Sequence, residues 1–226
     1  MYMTKIGLLG CGAIGSEIAM SVCEKRVGNA SLVAIFDQDA GMAAGLAESL
    51  PLKVPAFTNI GQFLSVSEVQ MVVECASPGA VRAYAESIIS SGKDLLMISS
   101  GALTDTPFFH RLSALAEGAR RRLIIPSGAL GGIDAIRATS RHLEQVILTT
   151  TKPPKGLQGA PGFKKWEGKE ITEPTVVFTG SAAEAIKLFP ANVNVGATLS
   201  LAGIGPDRTM VKVVADPDSP GNVHEI

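Results

Sequence analysis

The sequence predicts an α/β protein: a doubly wound parallel sheet in its N-terminal part, then a smaller α+β domain. Three observations lead there. From residue 5 to about 127, short apolar runs alternate regularly with segments of helical period. Gly and Ser-Pro or Thr-Pro pairs fall at the places where helices should stop and start. After that point the rhythm changes to β-branched strands separated by irregular segments, which sets domains at 1–127 and 128–226.

The elements follow in order. Lys5–Gly10 reads as a buried strand, and Ile14–Val27 as a helix with Ile14, Ile18 and Val22 on one face, stopped by Gly28-Asn29. Ser31–Phe36 is a second strand and Ala40–Ser49 an alanine-rich helix closed by Pro51. A brief helix at Asn59–Ser65 precedes a strand at Val69–Cys75. Ser77-Pro78 opens a helix that runs to Ser91, with Ser as cap and Pro at the first helical position. Leu95–Ser99 is a strand, Thr106-Pro107 repeats the helix start, and Leu123–Pro126 closes the series. Beyond it, Ile133–His142 is helical, Gln145–Lys152 is a strand, and Pro153–Gly168 is a long loop. Thr175–Thr179 is a strand, and Ser181 with Glu184 forms a capping box ahead of a helix to Phe189. A helix from Pro190 to Leu201, a strand at Thr209–Ala215 and the start of one more at Asn222–Ile226 complete the chain.

Composition narrows the function. Of 226 residues, 46% are hydrophobic and 18% charged, a balance that fills a core and argues against disorder. The formal net charge of -1 offers no electrostatic attraction to nucleic acid or to an anionic membrane. No apolar run approaches the ~18 residues of a membrane span and no secretory pattern opens the chain, so a soluble cytoplasmic protein is expected. Cys11, Cys23 and Cys75 lack CxxC spacing and read as reduced, mostly buried thiols, with neither a disulfide framework nor a metal site.

The strongest motif is Gly10-Cys11-Gly12-Ala13-Ile14-Gly15, a GxGxxG with a strand directly before it and a helix directly after. Asp37 ends the next strand, at the distance the dinucleotide fingerprint of Rossmann domains requires. Gly10 permits the tight turn, Gly12 lets a pyrophosphate reach the backbone, and Gly15 lets the helix pack close to the sheet. The helix N-terminus offers N–H groups to the phosphates. Asp37 accepts from the adenosine ribose hydroxyls and repels a 2′-phosphate, which favours NAD over NADP. The turns after the next two strands, Ala76-Ser77-Pro78 and Ser99-Ser100-Gly101, belong to the same sheet edge and complete the predicted cofactor set. Ser77 also reads simply as a helix cap.

Three further motifs carry a family resemblance. PSGALGGIDAI at residues 126–136, LFPANVNVGATLSLA at 188–202 and NVHEI at 222–226 resemble, in this order, signatures of the L-aspartate dehydrogenase family. The resemblance covers nearly the whole chain. It implies NAD(P)-dependent oxidation of L-aspartate to iminoaspartate, or reductive amination of oxaloacetate with ammonia, a step in NAD biosynthesis, and a homodimer. It implies that Ala129 and Asn194 contact the nicotinamide end and that His224 is the catalytic histidine. Gly196 stands where relatives often have Ala. Family members continue past the HEI motif for several dozen residues, whereas this chain stops at Ile226. On that reading the second domain is incomplete relative to the family, His224 frays near a free end, and binding survives better than catalysis.

The chemistry needs a hydride acceptor, a base for the amine and a grip on two carboxylates. A histidine suits the proton work, since its pKa lies near neutrality. His224 is expected to accept a proton from the substrate ammonium or to activate the water that attacks the imine. His110 and His142 read as solvated. For the carboxylates, Lys152, Lys164 and Lys165 and the backbone N–H groups of Gly131 and Gly132 are open alternatives. Arg120-Arg121-Arg122 suits a helix C-terminus. A homoserine- or dihydrodipicolinate-type reductase and a dinucleotide-binding module without turnover are the competing readings.

Overall fold

The computed structural model describes residues 3–190 and 194–226. The chain divides into two compact units, Met1–Pro126 and Ser127–Ile226.

The first unit is built on six strands: β1 (Thr4–Leu9), β2 (Ala30–Phe36), β3 (Ala56–Phe57), β4 (Met71–Glu74), β5 (Asp94–Met97) and β6 (Leu123–Ile124). They pair in parallel in the order β3-β2-β1-β4-β5-β6. This is the doubly wound Rossmann order, and it reverses between β1 and β4, where such sheets take their ligands. Five helices connect the strands: α1 (Ala13–Cys23), α2 (Ala40–Ser49), α3 (Ile60–Leu64), α4 (Pro78–Ser90) and α5 (Thr106–Ala119). Leu8, Leu32 and Ile35 of the sheet and Ala19 and Val22 of α1 bury one core cluster. The central strands are largely apolar because a parallel sheet covered on both faces leaves little of them facing water.

Three local expectations need correction. Helix α1 ends at Cys23, not near Val27. Lys25 takes the left-handed conformation (φ 59°), and Arg26 N–H closes back on the Ser21 carbonyl at 2.9 Å, a Schellman closure made without glycine. The cap of α5 is Asp105, whose carboxylate accepts from Phe108 N–H, so Thr106 is already helical. The connection between α2 and α3 carries β3, a two-residue strand too short to leave a periodic trace.

The second unit has four strands: β7 (Val146–Lys152), β8 (Thr175–Ser181), β9 (Thr209–Ala215) and β10 (Val223–Glu225). They form a mixed sheet in the order β10-β7-β9-β8, with only the β7–β9 pair parallel. Helices α6 (Ile133–Thr139), α7 (Ala182–Leu188) and α8 (Asn194–Ala202) accompany it. The capping box of α7 is present in full, with Glu184 N–H donating to Ser181 Oγ and the Glu184 carboxylate accepting from Ser181 N–H. The helix expected from Pro190 is described from Asn194 onward, and residues 191–193 of the PANVN motif lie outside the described residues.

The segment Pro153–Gly168 is more than a loop. It winds through short 3₁₀ turns at Pro154–Leu157 and Pro161–Trp166, and Leu157 and Phe163 enter the core beside Leu148, Val211 and Phe189. Phe189 is fully buried and meets Phe178 edge-on at 5.6 Å. Replacing Phe189 with Ala therefore leaves a void that this small core cannot close. We expect a loss of about 3–5 kcal/mol in the stability of the second unit, read from urea unfolding.

Candidate functional site

The sharp turn between β1 and α1 starts the site. Gly10 leaves the strand at φ 104°, a conformation a side chain resists, and a Cβ there would stand 2.8 Å from Ala76 N. At Gly15 the constraint is tighter still, because a Cβ would lie 2.0 Å from the Gly10 carbonyl oxygen. At Gly12 there is nothing within 4 Å of an added Cβ. Gly12 is the N-cap of α1, and no side chain caps this helix start. Its N–H groups and the positive end of its dipole are thus available to an anion.

A cleft of about 490 Å³ opens at this turn. Gly10, Gly12, Asp37, Ala76 and Ser77 of the predicted set line it, together with Gln38, Met42, Gly79, Ala80, Ala83 and Tyr84, which the sequence reading did not single out. Met42, on α2, is a large exposed apolar side chain, which suits the face of an adenine-sized ring. Asp37 is held on both oxygens: Cys11 N–H donates to Oδ2 at 2.8 Å and Asp39 N–H to Oδ1 at 3.0 Å. Asp39 in turn caps α2. The carboxylate is therefore fixed at the end of β2 rather than free to swing aside.

The rest of the predicted set lies elsewhere. Ala13, Ile14 and Gly15 occupy the first turn of α1, with Ile14 exposed and Gly15 packed inward. Pro78 begins α4 behind Ser77, whose hydroxyl accepts from Ala80 N–H, so its cap role is real. Ser99, Ser100 and Gly101 are buried, and Ser99 N–H donates to Glu74 at 3.1 Å. Cys75 lines the cleft and Cys11 is buried near it, both with thiols pushed up to about 12, mainly by burial, then by Asp37 at Cys11 and Glu74 at Cys75. Both stay protonated and inert at neutral pH.

The second unit contributes a separate cluster. On β7, alternation turns Val146, Leu148, Thr150 and Lys152 inward. β10 pairs antiparallel with it so that His224 stands opposite Thr150, and His224 Nδ1 lies 3.1 Å from Thr150 Oγ1. Residues 223–225 thus form a hydrogen-bonded strand within the last strand expected at Asn222–Ile226. His224 is half-buried, and burial first, then the charge of Lys152, pushes its pKa below the ordinary value of 6.5. Lys152 is only 6% exposed, and desolvation lowers its own pKa. Lys164 and Lys165 are exposed on the 3₁₀ turn, and His110 and His142 are exposed as expected. Ala129 lies exposed ahead of α6, and Asn194 begins α8.

A sheet of this order, a glycine-lined cleft at its switch point and a histidine-bearing second unit define a nicotinamide-dinucleotide-dependent oxidoreductase of two units. Known proteins make the class specific. Residues 10–126 match the family model "Homoserine dehydrogenase, NAD binding domain", and residues 134–226 match "Aspartate dehydrogenase, C-terminal". The chain is 44% identical to the L-aspartate dehydrogenase of Methanosarcina mazei over 99% of its own length and 83% of the relative's. It is 39% identical to that of Nitrosopumilus maritimus over 99% and 82%. The crystal structure of aspartate dehydrogenase from Thermotoga maritima superposes with a TM-score of 0.78 at 32% identity, covering 99% of this chain and 83% of that one. The chain belongs to the L-aspartate dehydrogenase family.

The open space at Gly12 gives a direct test of the cleft. Gly12 has an extended backbone that any residue adopts, so Gly12→Val leaves the fold intact and points its side chain toward the phosphates. We expect cooperative unfolding with a stability loss of about 1 kcal/mol from the poorer N-cap, and a loss of NAD affinity of at least about tenfold, measured by calorimetry.

Proposed function

We propose that the protein oxidises L-aspartate to iminoaspartate with reduction of NAD, and runs the reverse reductive amination of oxaloacetate with ammonia. The observation that carries this reading is His224, in the family's HEI motif, standing against Thr150 on the inward face of β7 that also presents Lys152.

The cofactor fits the residues present. The glycine turn supplies backbone N–H groups for the pyrophosphate, and Asp37, fixed on both oxygens, accepts from the adenosine ribose and disfavours a 2′-phosphate. Ala76 and Ser77 line the same cleft; Ala13, Ile14, Pro78, Ser99, Ser100 and Gly101 complete the set expected from the glycine motif and the sheet edge, and the family resemblance adds Ala129 and Asn194. When bound, the nicotinamide ring supplies the acceptor for the hydride that leaves the substrate Cα.

The chain's own residues handle protons and charge. With Nδ1–H donating to Thr150, Nε2 of His224 presents a lone pair to the substrate ammonium and takes its proton as the C=N bond forms. The lowered pKa keeps the ring neutral at neutral pH, which is the form that can accept. Of the three candidate lysines, Lys152 shares the face of His224, and it is assigned to one substrate carboxylate. Water then adds to the imine carbon and ammonia leaves, giving oxaloacetate.

A homodimer is the expected assembly, supported by the apolar Ile147 and Val176 exposed on the second unit's sheet. A cytoplasmic place and a role in NAD biosynthesis accord with the reaction. No helix among the described residues is long and apolar enough to cross a membrane.

The test is aspartate-dependent NAD reduction followed by absorbance, with homoserine as the control substrate. Turnover with aspartate alone is expected, and His224→Ala should lower kcat by roughly 10²–10⁴ with NAD affinity retained. NAD binding without turnover, or turnover with homoserine, would defeat the assignment. The pH profile adds a sign. Activity needs neutral His224, so it falls as pH drops through a midpoint below 6.5. Lys152→Met removes the positive charge that disfavours the imidazolium, so the remaining activity should show that midpoint moved upward. Burial, the larger cause, keeps it from returning fully.

A further inference from the structure

Two helices, α1 and α4, begin at the same sheet edge, and a dinucleotide's phosphates could in principle seat on either. They differ in how many N–H groups are already engaged by side chains. At α4, Pro78 has no N–H, and the Ser77 hydroxyl accepts from Ala80 N–H. The two amides just before it are turned toward the last residue of β4. Ala76 N–H and Ser77 N–H donate to Glu74 Oε1 at 2.9 and 3.0 Å. Ser99 N–H, from the turn after β5, donates to Oε2 of the same carboxylate at 3.1 Å. Glu74 is 1% exposed.

A carboxylate at the end of an apolar parallel strand is costly unless its oxygens are saturated. Three charge-assisted bonds from two separate turns meet that cost here, and they tie residues 76–77 to residue 99 across neighbouring strands. The arrangement also neutralises amides that would otherwise attract an anion. We propose that Glu74 is a positioning residue of the cofactor site. It presets the two turns after β4 and β5 and withdraws the Ala76 and Ser77 amides from phosphate, which favours seating of the pyrophosphate on α1.

This inference rests on the dinucleotide reading of the cleft, and the experiment separates the two. NAD affinity is measured by calorimetry for the wild type, Glu74→Gln and Leu112→Ala. Gln keeps the size of the side chain but turns one acceptor into a donor facing a donor. Leu112 is fully buried on α5 away from the cleft, and its truncation supplies a comparable loss of stability. We expect E74Q to raise the Kd and the KM for NAD roughly tenfold or more. Its kcat at saturating NAD should stay within about twofold, and L112A should keep wild-type affinity. Equal affinity in E74Q and the wild type, or an equal rise in L112A, would overturn the proposal while leaving NAD binding standing. A wild type that takes up no NAD would strike the underlying reading instead.

Should E74Q fail to fold, amide exchange in the wild type decides. The Ala76, Ser77 and Ser99 amides should be protected equally with and without NAD. Protection that appears only when NAD is added would show that the turns are not preset.

Discussion

Where β1 gives way to α1, the helix comes so close to the strand turn that no side chain fits between them. The Gly10 carbonyl would lie 2.0 Å from a Cβ at residue 15, and Gly10 itself turns through a positive φ against Ala76. That approach aims the first turn of α1 at open space beside Gly12. Everything downstream inherits its geometry: the position of Asp37 through Cys11 N–H, the floor formed by β4, and the width of the cleft.

It is notable physically that a site for a polyanion is organised by two carboxylates and not by cations. Asp37 and Glu74 stand at the ends of the two strands that flank β1, and each spends its oxygens on backbone N–H groups. Negative side chains saturated in this way act as braces for the loops, and the attraction for phosphate comes from peptide dipoles at the start of α1. The second unit uses the opposite sign. There a buried lysine stands on one face with a histidine and a threonine.

Much of this was legible in the residues. Apolar runs broken by glycine place β1 and β2, α2 at Ala40–Ser49 and β9 at Thr209–Ala215 coincide with their expected bounds, and Ser181 with Glu184 marks the start of α7. Asp37 follows from its distance to the glycines. Other features left no local trace. Lys25 in the left-handed region ends α1 earlier than the glycine-based rule allows, because the Schellman bonds outweigh the preference for Gly. Leu157 and Phe163 sit among prolines and glycines that read as a loop, and only the tertiary core shows why they are apolar. Glu74 is the one polar residue of β4 and Thr150 the middle of three threonines in β7, and their partners lie on other strands or turns. The polar interruption at the end of Val69–Cys75 was the available signal for Glu74.

The strand that carries His224 has three residues and stands at the edge of its sheet, bonded to β7 on one side. Such an edge opens with far less free energy than the core beneath it. The consequence is thermal: warming is expected to part His224 from Thr150 before the core of the second unit's sheet gives way.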